Sequence, residues 1–356
     1  MLNLIVLFGG ASSEHDISIL SAKNVVSFID AELYQLFIVY ITKDGLWKYI
    51  PQKDDISLDL VNQEQAFSEV SLLRTREKTS LQFVENGKEL CNPNIVFPVL
   101  HGKNGEDGVI QGLLQSLQIP YAGPSLIAAA ISMDKATTKD IVRGLGVKVS
   151  KDIVIRKGEQ VPIFSEVIKV LRLPFIVKPS RAGSSFGVSI VQKEEDYLKA
   201  IESAFLCDSK ILFEEFIQGR EIECGVLGNY SPKASTVGEI SYPTNFYSYE
   251  AKYKNTQSQI HIPALVSENV IKIIQDYSKK IYKSLNCLGF ARVDFFLTQN
   301  GEVVFNELNS IPGFTDRSMF PLLWQYEGIS QSNLINEIIK LGLEAYSDNL
   351  CGSSAI

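Results

Sequence analysis

The side chains with the most chemistry in their spacing lie near the end of the chain. Between the apolar runs 289–297 and 302–309 stands Asn300-Gly301, a strong short-range signal for a β-hairpin. With those two residues as the turn, Asp294 faces Glu307 and Arg292 faces Asn309. All four share one face, because side chains two apart on a strand point the same way. Opposed carboxylates repel, and a cation between them relieves the repulsion. With an amide oxygen beside them they form a hard oxygen set that suits Mg²⁺ bridging nucleotide phosphates. A solvated sheet face in which Arg292 pairs the acids is the plain alternative. Pro312-Gly313 follows directly, where a backbone N–H is free to face a substrate oxygen. Upstream, Lys178 leads into the small-residue loop Gly183-Ser184-Ser185-Phe186-Gly187. Phosphate cradles need converging backbone N–H groups and a lysine nearby, and this stretch offers both. No G-x-x-x-x-G-K-[ST] and no G-x-G-x-x-G occurs. Joining two expected strands, the loop would cover phosphates as a flap, unless it is an ordinary turn.

The elements that must position these groups follow from periodicity. Residues 2–8 are an apolar run ending in Gly9-Gly10, and Ser12-Ser13-Glu14 opens a helical pattern through Val26, so the chain starts strand, turn, helix. A second apolar strand, 95–100, ends at His101-Gly102, and Gly105-Glu106-Asp107-Gly108 leads into a helix around Leu113. Loops after strand ends line the crevice of an open α/β sheet, which places both loops where substrates bind. Residues 120–124, Pro-Tyr-Ala-Gly-Pro, mark a boundary. The pattern then predicts one helix over 132–147, with Lys135 and Lys139 one turn apart and Lys139 on the solvent face. Strands are expected at 174–178, 188–192, 211–217 and 220–227, and a helix over 268–285. Residues 243–259 show no clear period, and a long ordered loop in a compact domain is usually a functional lid.

Composition narrows the class. A chain of 356 residues, 45% hydrophobic and 21% charged, can bury one large core or several smaller ones. A net charge of −7 argues against a general nucleic-acid platform. No apolar run reaches eighteen residues and the start lacks a basic leader, so neither a membrane span nor a signal peptide is expected. Five scattered cysteines without CxxC spacing read as reduced thiols of a cytoplasmic protein. A nicotinamide-dependent dehydrogenase is disfavoured by the missing glycine fingerprint, and a nucleotide-binding regulatory protein by the intact acid hairpin.

Several blocks, in order along the chain, resemble the ATP-grasp superfamily and within it the D-alanine–D-alanine ligase family. They are LFGGASSEHDIS (7–18), HGKNGEDGVIQG (101–112), MDKATTK (133–139), FIVKPSRAGSSFGVS (175–189), EEFIQGREIE (214–223), YSYEAKY (247–253), GFARVDFF (289–296) and FNELNSIPGFT (305–315). The resemblance implies a mixed α/β and α+β ATP-grasp fold. It would comprise an N-terminal Rossmann-like domain (1–123), a central subdomain (124–213), a C-terminal subdomain (214–346) carrying the lid 243–259, and a tail (347–356). It also implies ATP, two Mg²⁺ or Mn²⁺ ions, D-alanine as substrate and a homodimer. By position, Lys135, Lys178 and Ser185 resemble the phosphate contacts. Glu214 with the backbone of Glu215, Phe216 and Ile217 resembles the adenine site, and Glu221 the ribose acid. Asp294, Glu307 and Asn309 match the metal ligands. Glu14, with His101 nearby, matches the acid that holds the first ammonium, tied by Ser184 and Tyr253. Arg292 and the Gly313 N–H resemble the oxyanion donors. Lys252 and Ser318 would face the second substrate's carboxylate or the transferring phosphate. Met319, apolar where relatives that use D-serine tend to carry a polar residue, favours D-alanine there, and the intact Tyr249…Lys252-Tyr253 pattern disfavours D-lactate.

Overall fold

β1 (Leu2–Gly9) is followed by helix α1 (His15–Ser27), β2 (Tyr34–Ile41), β3 (Trp47–Ile50) and a single helical turn, α2 (Leu60–Gln63). A small antiparallel sheet of β4 (Val70–Arg74), β5 (Thr79–Phe83) and β6 (Glu89–Cys91) precedes β7 (Ile95–Val99) and α3 (Val109–Ser116). β1 pairs in parallel with both β2 and β7, and β3 closes one edge antiparallel. A strand flanked this way is covered on both faces, which is why Leu4 to Phe8 are apolar without alternation and fully buried. At its end Gly9 has φ +92°, and a Cβ there would lie 2.3 Å from the Ile41 carbonyl oxygen. Only glycine lets β1 turn into α1. The computed structural model describes residues 1–241 and 259–353. The expected lid therefore lies outside the described residues except for Gln259, and so do Lys252 and Tyr253.

Beyond the boundary come α4 (Leu126–Met133) and α5 (Lys135–Gly144). The helix expected over 132–147 is thus α5, which starts at Lys135, and α4 is a separate helix before it. Asp134 between them is extended and accepts the Thr137 N–H at 3.1 Å, so it caps α5 and ends α4.

β8 (Asp152–Arg156), α6 (Phe164–Leu171), β9 (Phe175–Pro179), β10 (Ser189–Val191), α7 (Glu194–Cys207) and β11 (Lys210–Glu215) form the next unit. Its antiparallel sheet runs β10-β9-β11-β8. Alternation along the strands divides it into two faces. Phe175, Val177 and Phe213 pack under α6 and α7, with Tyr197 edge-on to Phe175 at 6.2 Å. Ile176, Lys178 and Glu214 point the other way, into a cavity. β11 continues to Glu215, so the sheet passes the division expected after residue 213.

The last unit is a five-stranded antiparallel sheet with three helices. It contains β12 (Gly219–Leu227), β13 (Lys233–Ser241), β14 (Gln259–His261), α8 (Glu268–Ser284), β15 (Phe290–Thr298), β16 (Val303–Asn309), α9 (Met319–Tyr326) and α10 (Gln331–Ser353). Its order is β14-β13-β12-β15-β16. Ile222, Val293, Phe295 and Phe305 share one core with Ile274 and Ile281 of α8 and with Ala128 and Val142 of α4 and α5. The opposite face of the sheet carries the charged residues. Phe290, Phe314, Phe320 and residues of α10 share a core with Val6, Phe8 and Phe97, so the chain's last helices complete the N-terminal sheet. α10 runs to Ser353, past the tail expected from 347. Among the described residues no helix is long and apolar enough to cross a membrane, and Cys91, Cys207, Cys224 and Cys287 are free thiols.

Candidate active site

All three units border one cavity of about 1420 Å³. β15 and β16 bring Asp294 opposite Glu307 and Arg292 opposite Asn309. The turn is not the two-residue one expected. A three-residue loop, Gln299 to Gly301, is closed by the Thr298 N–H on the Glu302 oxygen at 3.0 Å. The extra loop residue alone would slip every pair by one. A β-bulge at Asn306 restores the register, since Phe295 pairs with Phe305 but Asp294 with Glu307. It also changes which residues face inward. Val303 and Phe305 lie in the core before it and Leu308 after it, which leaves Glu307 and Asn309 on the cavity wall.

Arg292 grips Asp294 with two hydrogen bonds, Nε to Oδ1 and Nη2 to Oδ2, each 2.8 Å, and Glu223 Oε2 lies 2.9 Å from Nε. Burial lowers the guanidinium's pKa, but the charges of Asp294 and Glu223 outweigh it and hold the value above the ordinary one. Asn309 donates its amide to Asp294 Oδ2 at 2.8 Å. Asp294 consequently has no exposed surface, whereas every other expected site residue that is described lines the cavity. Glu221, Glu223 and Asp294 each offer an oxygen within 4.8 Å of one another. Together with Glu307 that makes four carboxylates, while Arg292 and Lys135, the latter 3.5 Å from Glu307, are cations within ion-pair distance of them. This donor set fits a divalent cation. Sequence reasoning passed over Glu223, although its spacing from Glu221 puts both on one face of β12.

The flap joins the central sheet to the N-terminal unit. Ser184 and Ser185 both adopt left-handed backbone, φ +49° and +56°, and Ser184 Oγ donates a short hydrogen bond to Glu14 Oε1. Two consecutive non-glycine residues in that region are strained and persist only where surroundings hold them. A Cβ on Gly183 would lie 2.4 Å from Glu14 Oε2, so glycine is what lets the loop approach the acid. That Oε2 is buried without a hydrogen-bond partner among the described residues. Lys135 Nζ donates to the Ala182 carbonyl at 2.8 Å and so steadies the flap from α5. His101 donates from Nδ1 to the Ile311 carbonyl at 3.1 Å and accepts at Nε2 from Ser21 Oγ, also 3.1 Å. Burial lowers the ring's pKa and keeps it neutral. Ser21 in turn accepts the Phe314 N–H at 3.2 Å. One hydroxyl thus fastens α1 to the 101 loop and to the segment carrying Gly313. Glu106 is a further acid of this corner that sequence reasoning did not single out. Its Oε2 accepts the Gly102 N–H at 2.7 Å, and burial, then the charge of Glu14, push its carboxyl up to about 8.

Lys139 is not on the solvent face expected for it; it is 1% exposed. Its Nζ lies 2.6 Å from Glu214 Oε1, 3.0 Å from Asp152 Oδ1 and 3.0 Å from Ser150 Oγ. Glu214 Oε2 meets Lys178 in a second, very short ion pair. Burial raises the Glu214 carboxyl, but the two lysines outweigh it and hold it well below the carboxylate range. Ser318 Oγ accepts the Thr315 N–H at 2.9 Å beside Gly313. Met319 is buried with its sulfur over Gly238, where a Cβ would clash at 2.3 Å.

Two antiparallel sheets closing on a cavity, lysines on one wall and carboxylates on the other, beside a mostly parallel N-terminal sheet, define the ATP-grasp class of folds. Comparison with known proteins narrows this. Residues 3–124 match the family model for the D-ala D-ala ligase N-terminus and residues 141–340 that for the D-ala D-ala ligase C-terminus. The D-alanine–D-alanine ligase of Oceanobacillus iheyensis is 42% identical over 95% of this chain and 94% of its own. Ligase A of Escherichia coli K12 is 39% identical over 97% of each chain. Among solved structures, the D-alanine–D-alanine ligase of Coxiella burnetii superposes with a TM-score of 0.88 at 34% identity, covering 98% of this chain and 96% of its own. A D-Ala:D-Ser ligase of Enterococcus faecalis gives 0.86 at 35%, covering 96% and 99%. The chain belongs to the D-alanine–D-alanine ligase family.

Proposed function

We propose that the chain joins two D-alanines to D-alanyl-D-alanine, a cell-wall precursor, with cleavage of ATP to ADP and phosphate by way of a D-alanyl phosphate. What supports this reading most is the convergence on one cavity of Lys135, Lys178 and Arg292 with Glu307, Asn309 and a Glu14 oxygen that lacks a donor among the described residues. The ammonium of a small amino acid supplies that donor, and neutral His101 sits beside it without adding charge. The carboxylate so held attacks the γ-phosphorus of ATP, and ADP leaves. Lys135, Lys178 and the flap around Ser185 hold the phosphates. Glu214 and the backbone of Glu215 to Ile217 receive the adenine, and Glu221 the ribose. Asp294, Glu307 and Asn309 would hold Mg²⁺ or Mn²⁺, two ions in all, which neutralise charge on the transferring oxygens.

The amine of the second D-alanine, having lost its proton, attacks the acyl carbon of the D-alanyl phosphate, and phosphate leaves. Arg292 and the Gly313 N–H face the oxyanion that forms, and one such donor stabilises it by about 3–4 kcal/mol. Ser318 and Lys252 take the second carboxylate. Ser184, with Tyr253, ties the flap to Glu14 and so keeps water from the acyl phosphate. The buried thioether of Met319 suits a methyl group at the second site and gives a serine hydroxyl no strong partner. On the same proposal the chain comprises an N-terminal domain and two grasping subdomains and works in the cytoplasm as a homodimer. The test offers D-alanine, D-serine and D-lactate in competition with ATP. D-alanyl-D-alanine with ADP and phosphate is expected; AMP, or no dipeptide, overturns the proposal.

A further inference from the structure

Glu214 holds two lysines, one on each oxygen, and their surroundings differ. Lys139 has three acceptors, Glu214 Oε1, Asp152 Oδ1 and Ser150 Oγ, for its three N–H groups, and it does not reach the cavity. It sits between carboxylates that face each other across β11 and β8, where Glu214 pairs with Asp152. Lys178 lines the cavity, and its one ion pair among the described residues is with Glu214. Ser150 Oγ also donates to Glu214 Oε1 at 2.6 Å. If Lys178 departs, Glu214 keeps two donors on that oxygen. If Lys139 is lost, Lys178 is the last cation on a buried carboxylate, and pulling it away leaves an uncompensated charge.

We propose that Lys139 is a positioning residue for nucleotide binding: the fixed counter-ion that lets Lys178 move from Glu214 to a phosphate oxygen. The inference rests on the reading of this cavity as an ATP site, and it adds a division of labour between the two lysines. Glu214, still ionised beside Lys139, is then free to accept the exocyclic amine of the base.

The test is a double-mutant cycle read by ATP binding in calorimetry. Lys139→Met is expected to weaken ATP about tenfold, with the KM for D-alanine within twofold of the parent. In a Glu214→Gln background, where no charge tethers Lys178, the same change is expected to cost less than twofold. Lys139→Arg, which keeps the charge, should stay within about threefold of the parent. Equal losses in both backgrounds, or an equal rise in the KM for D-alanine, overturn the inference and reduce Lys139 to a packing residue. Should Lys139→Met not fold, the cycle is run in an Asp152→Asn background, which removes the buried carboxylate that Lys139 shares with Arg143. Failure of the parent protein to bind ATP would refute the function; binding without coupling refutes only this inference.

Discussion

Replacing Glu106 with glutamine probes how the cavity stores its acids. Burial, and then the charge of Glu14, raise this carboxyl from 4.5 to about 8, against the opposing pull of the Gly102 N–H and Lys135. A carboxyl whose folded value lies above its unfolded one costs nothing below the unfolded value. Stability is lost as pH rises through the interval between them, here from about 4.5 to about 8. At 1.36 kcal/mol per pH unit the ceiling is about 5 kcal/mol. Glu106 is partly exposed to the cavity, and solvent screening reduces the expected effect to roughly 2–3 kcal/mol. Glutamine keeps an acceptor for Gly102 but cannot ionise. Urea denaturation at pH 5, 7 and 9 should therefore show the stability of Glu106→Gln gaining on the parent by roughly 2–3 kcal/mol across the range. Since the charge of Glu14 adds to the effect of burial, the gain should shrink in a Glu14→Gln background. Parallel stability curves for parent and variant would refute the account of this corner.

Arg292→Met leaves Asp294 and Glu223 buried without their cation. It should cost about 3–5 kcal/mol in denaturation without metal, less with millimolar Mg²⁺, and lower kcat by roughly 10²–10³; a loss under 1 kcal/mol that ignores Mg²⁺ contradicts the pairing described. Met319→Arg should shift the D-serine to D-alanine product ratio upward by about tenfold, read by mass spectrometry of a competition mixture, and an unchanged ratio removes Met319 from the second-substrate site.

How far these residues were legible depended on whether local pattern or distant packing placed them. The opposition of Asp294 to Glu307 follows from alternation and a turn signal. The simple reading reached it through two errors that cancel, since it missed both the third loop residue and the bulge. The bulge left little local trace: the positions that join the core under α8 run 303, 305, then 308, but Val304 is apolar and buried as well, which hides the break in parity at Asn306. Asp134 did carry a trace, as an N-cap residue type two residues inside the start of the expected helix. Lys139 was harder, because a lysine on a helix defaults to solvent. Its acceptors Glu214, Ser150 and Asp152 come from elsewhere in the chain. Only its placement three residues from Ala136 and three from Val142, both buried, hinted at an inward stripe. The packing of α10 onto the N-terminal sheet and of α4 and α5 under the last sheet is tertiary throughout, and no spacing in the sequence announces it.

The same geometry bears on how affinity is set. Within the chain several charged groups of the cavity have partners: Lys178 has Glu214, Arg292 has Asp294 and Glu223, and Lys135 has Ala182 and Glu307. On the proposed reading, nucleotide and metal exchange these partners rather than fill bare sites, so binding reflects a difference between two nearly balanced sets of interactions. Removing a resident acid then has two opposed effects, loss of a ligand contact and release of a cation for the incoming phosphate. Glu14 Oε2 differs from these groups, since among the described residues it has no donor to displace. The amino-acid end of the cavity is thus the place where a ligand satisfies a buried group outright, and discrimination for an ammonium should be strongest there.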